Sequence, residues 1–129
     1  MATRATYQIK SGFSTTTFYI HHDGYPAGAA TYFLKAQLLQ EKTNRNFLSC
    51  FLWANERSEV ISHHGAHSDT EYRYDLSMDL ERKWQIIAYK RKGDFGDTFD
   101  PFYQGPLDKF IFDYLETTIA CKYSYMGSA

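Results

Sequence analysis

Arg4-Ala5-Thr6-Tyr7-Gln8-Ile9-Lys10, a break at Ser11-Gly12, then Ser14-Thr15-Thr16-Thr17-Phe18-Tyr19-Ile20-His21-His22 is the stretch on which the fold turns. Both runs alternate in polarity and are rich in Tyr, Ile, Thr and Phe, and a turn-forming pair separates them. That combination predicts a β-hairpin. From Pro26 the period changes. Ala30, Phe33, Leu34 and Leu38 fall at i, i+3, i+4 and i+8, one face of a helix that Pro26 is well placed to start.

A second, shorter helix is expected from Asn46, with Phe47, Cys50, Phe51 and Ala54 on one side and Asn55-Glu56-Arg57 closing it. Beyond a histidine-rich stretch, alternation returns in Glu71 to Leu76 and in Lys83 to Lys92, a second hairpin. Gly93 to Gly105, broken by Gly-Asp and Asp-Pro pairs, reads as a loop. A last helix carries Leu107, Phe110, Ile111, Tyr114 and Leu115 on one face and Lys109, Asp113 and Glu116 on the other. The order β-β-α-α-β-β-α predicts an α+β domain, an antiparallel sheet of two hairpins with helices packed on one face. Whether the hairpins share one sheet is not encoded in this pattern.

Composition agrees with a folded chain. Its 129 residues hold 11 Tyr, 10 Phe and 2 Trp, and these rings outnumber Leu, Ile, Val and Met combined. Disordered chains are poor in such residues. One domain of this length buries roughly two thirds of its unfolded surface, enough for a core without staples. Tyr7, Phe18, Phe33, Phe51, Tyr72, Tyr74, Trp84, Phe110 and Tyr114 occupy alternating or helical core positions, in place of the missing Leu and Val.

Charge narrows the function. Fourteen Lys and Arg stand against 15 Asp and Glu, a net charge of −1, so no strong field favours general nucleic-acid binding or mimicry of DNA. The N-terminus has no apolar signal segment, and no run approaches the ~20 apolar residues of a membrane helix, so no membrane association is expected. Cys50 and Cys121 lack paired spacing; neither a disulfide framework nor a cysteine zinc site is indicated. Cys50 sits on an apolar helix face, where a thiol is inert. No G-x-S-x-G elbow is present.

All five histidines fall in two segments, His21-His22-Asp23 and His63-His64-Gly65-Ala66-His67-Ser68-Asp69. Imidazole and carboxylate are ligands for a divalent metal such as zinc or manganese, and a catalytic centre needs about three of them with an open water position. His22, Asp23, His64, His67 and Asp69 form such a set if the two loops adjoin. The plainer reading is that these are polar loop residues making turns and caps, and no HExxH or paired CxxC spacing supports a metal.

In Asp23-Gly24-Tyr25-Pro26-Ala27-Gly28, Gly24 is expected to take a positive φ, Tyr25 to be extended before proline, and Gly28 to permit close approach. The N–H groups of Ala27, Gly28 and Ala29 then favour an anion, which Asp23 itself can supply as a cap; the Walker lysine and the G-x-G-x-x-G pattern are absent.

Met1-Ala2-Thr3-Arg4, the turn from Tyr19 to Gly28 (Y-x-H-x-D-G-Y-P-x-G), and Asp69-Thr70-Glu71-Tyr72-Arg73-Tyr74 resemble the pattern of a family of small proteins from phages, prophages and other mobile elements. The match covers mainly the first 30 residues and a short middle segment, and it brings no catalytic residues with it. The resemblance implies genomic company: such proteins often bind and block a host machine, CRISPR effectors included. The expected function is therefore a cofactor-free binding protein, in the cytoplasm of a bacterial host, that blocks a host protein or nucleoprotein complex. Its expected partner-binding residues are Phe95, Asp97, Phe99, Phe102 and Tyr103 of the loop, together with Tyr25. The alternative is a small metal-dependent hydrolase or nucleotide-processing enzyme built on the histidine clusters.

Overall fold

The computed structural model describes residues 3–55, 58–66, 69–93 and 98–115. Strand β1 (Ala5–Ser11) turns at Gly12-Phe13 into β2 (Ser14–Ile20); helices α1 (Pro26–Thr43) and α2 (Phe47–Ala54) follow, then a short edge strand β3 (Glu59–Ile61). A single 3-10 turn at His64–Ala66 leads to β4 (Tyr72–Met78), β5 (Trp84–Arg91), β6 (Phe99–Pro106) and α3 (Leu107–Tyr114). The described strands make one sheet in the order β3-β2-β1-β4-β5-β6.

Both expected hairpins form. Ala5 pairs with Ile20 through to Ser11 with Ser14, and Gly12 carries the φ of +64° that a two-residue connection requires. Tyr72 pairs with Lys90 through to Met78 with Trp84. The sheet is nevertheless mixed and not purely antiparallel, because the hairpins join through β1 and β4 in parallel, Tyr7 opposite Tyr74. Parallel neighbours need a long crossover. The chain makes it in two stages: α1 and α2 lie over one face between β2 and the β3 edge, and His64 and Asp69 lie over the other face before β4.

The segment 93–105 is only partly a loop. Residues 99–106 are β6, antiparallel to β5 and at the sheet edge. An Asp-Pro pair looks like a breaker, yet proline is tolerated on an edge strand where its missing N–H faces away from the ladder. Register slips between Ala88–Tyr103 and Tyr89–Pro101, so Phe102 is the extra residue of a bulge. Its ring and that of Tyr103 both meet Tyr114 of α3, each at 5.9 Å between centroids.

The helices cover one face in the order α2, α1, α3. Pro26 opens α1 after an extended Tyr25 (φ −65°, ψ 162°), and Asn44 closes it in the left-handed region with its N–H on the Gln40 carbonyl. The buried stripe of α1 is Ala29, Ala30, Phe33 and Ala36, rotated from the expected Leu34 and Leu38 side. Small residues win that stripe because aromatic rings from the sheet fill the space beneath it. Asn46 caps α2, accepting from the Ser49 N–H at 2.8 Å, and Phe47, Cys50 and Phe51 face inward as their spacing predicts. Gln37 of α1 donates to Asp108 of α3 at 2.9 Å.

All nine rings assigned to the core from sequence lie in or against it. Tyr7 is at the centre: stacked on Tyr74 at 5.1 Å, edge-on to Phe33 at 5.7 Å, and tilted against Phe51 at 5.4 Å. Such geometries add about 0.5–1.5 kcal/mol per pair beyond area burial.

Candidate functional site

The turn from β2 into α1 is a mechanical joint. Asp23, and not Gly24, takes the positive φ (+58°), which Asp tolerates better than most side chains. Gly24 is required for space: a Cβ there would lie 2.6 Å from the Ala5 Cβ. Gly28 is required more strictly, since its Cβ would lie 1.9 Å from the Asp23 carbonyl oxygen. Gly24 N–H donates to Thr3 O at 2.9 Å, and the buried Tyr74 hydroxyl donates to Gly24 O at 2.6 Å. The D-G-Y-P-x-G pattern thus pins the start of α1 to β1 and β4.

No side chain caps α1, so Asp23 does not serve as its cap. Asp23 instead accepts from Tyr25 Oη at 3.3 Å, and its carboxylate helps push the Tyr32 hydroxyl up to about 12, after burial as the main cause. A cavity of about 110 Å³ beside the turn is lined by Asp23, Tyr25, Gly28, Tyr32 and Lys35 among others. A carboxylate on that wall has the wrong sign for a phosphate. A broader depression of about 530 Å³ lies between Ile20, His21, His22, Asp23 and Tyr32.

The two histidine segments approach one another through Asp69 of the expected set, joined by Arg4 to His21, neither of which belongs to it. Arg4 Nε reaches Asp69 Oδ2 at 3.1 Å and His21 Nδ1 at 3.3 Å, so Arg4 bridges the loops. Tyr19 Oη donates to both Asp69 oxygens, at 2.9 and 3.1 Å; burial first, and then this carboxylate, raise the hydroxyl above its ordinary range. His64 is engaged at both nitrogens. Nδ1 shares a hydrogen bond with the Thr6 hydroxyl at 2.6 Å and Nε2 pairs with Asp75 Oδ1 at 2.5 Å. Thr6 is completely buried, so this hydroxyl–imidazole–carboxylate chain has no accessible nucleophile. It fastens the 3-10 turn at His64–Ala66 to β1 and β4.

His22 and Asp23 stay at the turn, His64 and Asp69 are held as described, and His67 lies outside the described residues. Among the described residues no three His, Cys, Asp or Glu side chains gather around a point where a metal would sit.

Of the expected partner-binding residues, Phe95 and Asp97 lie outside the described residues. Phe99 sits beneath the Arg73 guanidinium, 3.9 Å from its centroid, and Tyr103 packs on Phe110 at 5.3 Å. Phe102 and Tyr25 are each 37% exposed. The more prominent apolar side chains are Phe13 and Leu80, exposed at 111% and 104%. Because β1 and β4 are parallel neighbours, the β1–β2 turn and the 79–83 loop lie side by side at one end of the sheet, their centres about 10 Å apart from strand spacing. Met78, also exposed, lies at the base of the second loop.

The two tips have different turn geometries. Phe13 occupies a two-residue turn. Leu80 rides on a loop in which Asp79 Oδ1 accepts from the N–H groups of Glu81 and Lys83, each at 2.9 Å, while Oδ2 accepts from Gln85 at 3.0 Å. These bonds, that from Lys83 foremost, hold the Asp79 carboxyl below its ordinary range. A single apolar residue inside each turn was the available sequence signal for this pair. No helix among the described residues is long and apolar enough to cross a membrane. No protein-family model, curated protein or solved structure matches this chain.

Proposed function

We propose that the chain is a mobile-element binding protein that acts stoichiometrically, blocking a host protein or nucleoprotein complex, with a CRISPR effector as the most concrete target. The observation that supports the reading is the pair Phe13 and Leu80, two fully exposed apolar side chains on adjacent hairpin tips. Interfaces concentrate their energy in a few apolar side chains that become buried on docking. The N-terminal motifs, by their resemblance to mobile-element proteins, give the partner its direction.

The test is phage plating on a strain with an active CRISPR system. Expression of the chain restores plating, and titration against the purified effector reaches full inhibition near one equivalent. The double variant Phe13→Ser, Leu80→Ser loses the effect while melting unchanged. Chelation leaves the inhibition intact, whereas a metal-dependent hydrolase using His64 and Asp69 would lose its activity. Intact host defence under expression, with no partner recovered from lysate, rejects the proposal.

A further inference from the structure

The joint between β2 and α1 accounts for the backbone of Asp23, Gly24 and Gly28, but not for the side chains gathered beside it. The cavity of about 110 Å³ there has Asp23, Tyr25, Tyr32 and Lys35 around Gly28. The hydroxyls on its wall are committed: Tyr25 donates to Asp23 at 3.3 Å, Tyr32 to the His22 carbonyl at 2.9 Å and Thr31 to the Ala27 carbonyl at 3.0 Å. The two charges are not. Among the described residues Lys35 makes no hydrogen bond or ion pair, and Asp23 has no cationic partner.

Their separation follows from the helix. Gly28 lies against the Asp23 carbonyl, and Lys35 comes two turns later, ~10.5 Å along the axis at 1.5 Å per residue. A lysine stem leans toward the helix N-terminus and spans part of that length, which leaves carboxylate and ammonium on one cavity but too far apart for an ion pair. Behind Tyr32, the wholly buried Tyr7 ring meets it edge-on at 6.2 Å, and the Tyr7 hydroxyl has no hydrogen-bond partner among the described residues. Burial first, then Tyr32 and Asp23, raise that hydroxyl above its ordinary value, so it lies within electrostatic reach of the same wall. The wall has more polar capacity than its own bonds use.

We infer that this cavity binds a small free α-amino acid, its ammonium on the Asp23 carboxylate beside the Tyr25 and Tyr32 rings and its carboxylate on Lys35. A zwitterion answers both charges at once, with charge-assisted hydrogen bonds at each end and no net charge carried out of water. The rings add cation–π attraction for the ammonium. A simple amine would leave Lys35 unanswered and be repelled by it, and a simple carboxylate meets the same objection at Asp23. The volume suits glycine, alanine or serine. The Asp23 carboxylate also gains its reason here, since Asn or Gly would make the left-handed turn as well. The joint is at the Ala5–Ile20 end of the first hairpin, opposite the Phe13 tip, so this site stands or falls independently of the blocking role.

Titration of the isotope-labelled full chain with glycine, alanine and serine, followed by amide shifts, tests it. Saturable shifts centred on Asp23 to Thr31 are expected, with a dissociation constant of about 0.1–10 mM, in keeping with the limited binding energy open to so few atoms. Methylamine and acetate, which carry one charge each, bind at least ten-fold more weakly. Asp23→Asn keeps the left-handed backbone and Lys35→Met keeps the stem; each weakens alanine at least ten-fold while melting unchanged. Lys109→Met, which removes an exposed cation on α3, leaves alanine binding as in the parent. Absence of saturable shifts, equal binding of methylamine or acetate, or full affinity in Asp23→Asn or Lys35→Met overturns the inference.

Discussion

The two stages of the connection from β2 to β4 are held against the sheet by different chemistry. On one face, α1 and α2 press a stripe of small residues and phenylalanines onto a bed of rings, and the contact is almost wholly apolar. On the other, residues 62–66 and 69–71 carry very few apolar side chains and are held by named polar pins: Thr6–His64–Asp75, Tyr19–Asp69–Arg4, and Arg91 on the Thr70 carbonyl. Apolar packing is non-directional and tolerates rearrangement, whereas a set of short hydrogen bonds fixes one geometry and collapses when a member is lost. The difference teaches that the histidine-rich segment, chemically the most suggestive part of the sequence, is the fastener of a polar crossover.

The largest expected effect breaks both faces together. Tyr7 and Tyr74 under the helices, and Tyr19 under the crossover, all have hydroxyls raised above the ordinary 10.0, by burial foremost, and Tyr32 rises to about 12. The fold thus favours the neutral phenols. This contribution is complete below pH 10 and is lost as pH climbs through the folded values, so stability declines from pH 10 to 12 and the chain unfolds beyond. Tyrosinate absorption should rise together with loss of the far-ultraviolet dichroism. Titration of every tyrosine near 10 with the fold intact would contradict the burial described.

Next in size is Phe33→Ala, which empties the centre of the helix-covered face and should lose about 3–5 kcal/mol in denaturant unfolding. Gly28→Ala follows at about 2–4 kcal/mol, because its methyl meets backbone, the Asp23 carbonyl, which cannot swing aside as a side chain can. On the opposite face, His64→Ala should lose about 1–3 kcal/mol, most of it from the Thr6 hydroxyl left buried and unpaired. The comparison sharpens in the double variant: Thr6→Val recovers part of the loss in a His64→Ala background, while it adds independently to Phe33→Ala. The smallest effect is that of Phe13→Ser with Leu80→Ser, within about 0.5 kcal/mol of the parent.

What was legible in the sequence was whatever depends on neighbours along the chain. Alternation gave away β1, β2, β4 and β5, the Asn46 cap and the 47–50–51 spacing gave away α2, and the pattern from Leu107 gave away α3. The parallel joining of β1 to β4 was hidden because each strand looks the same whichever neighbour it takes. At three residues β3 is too short for a period to register, and β6 was masked by Asp100-Pro101, whose turn chemistry is overridden at an edge. The histidine clusters were visible as composition. Their partners Thr6, Asp75 and Arg4 were not, since register and crossover path decide which strand residues a loop imidazole meets.

The parallel pairing of β1 with β4 has a kinetic consequence. Each hairpin can close within its own short turn, whereas the ladder from Ala5–Tyr72 to Ile9–Leu76 then needs the connection of about 50 residues between Ile20 and Tyr72 to be closed. Non-local pairing of this kind slows folding. The step that sets the rate should therefore be the meeting of two preformed hairpins at Tyr7 and Tyr74, and until then the chain carries two unpaired strand edges exposed to any neighbouring chain.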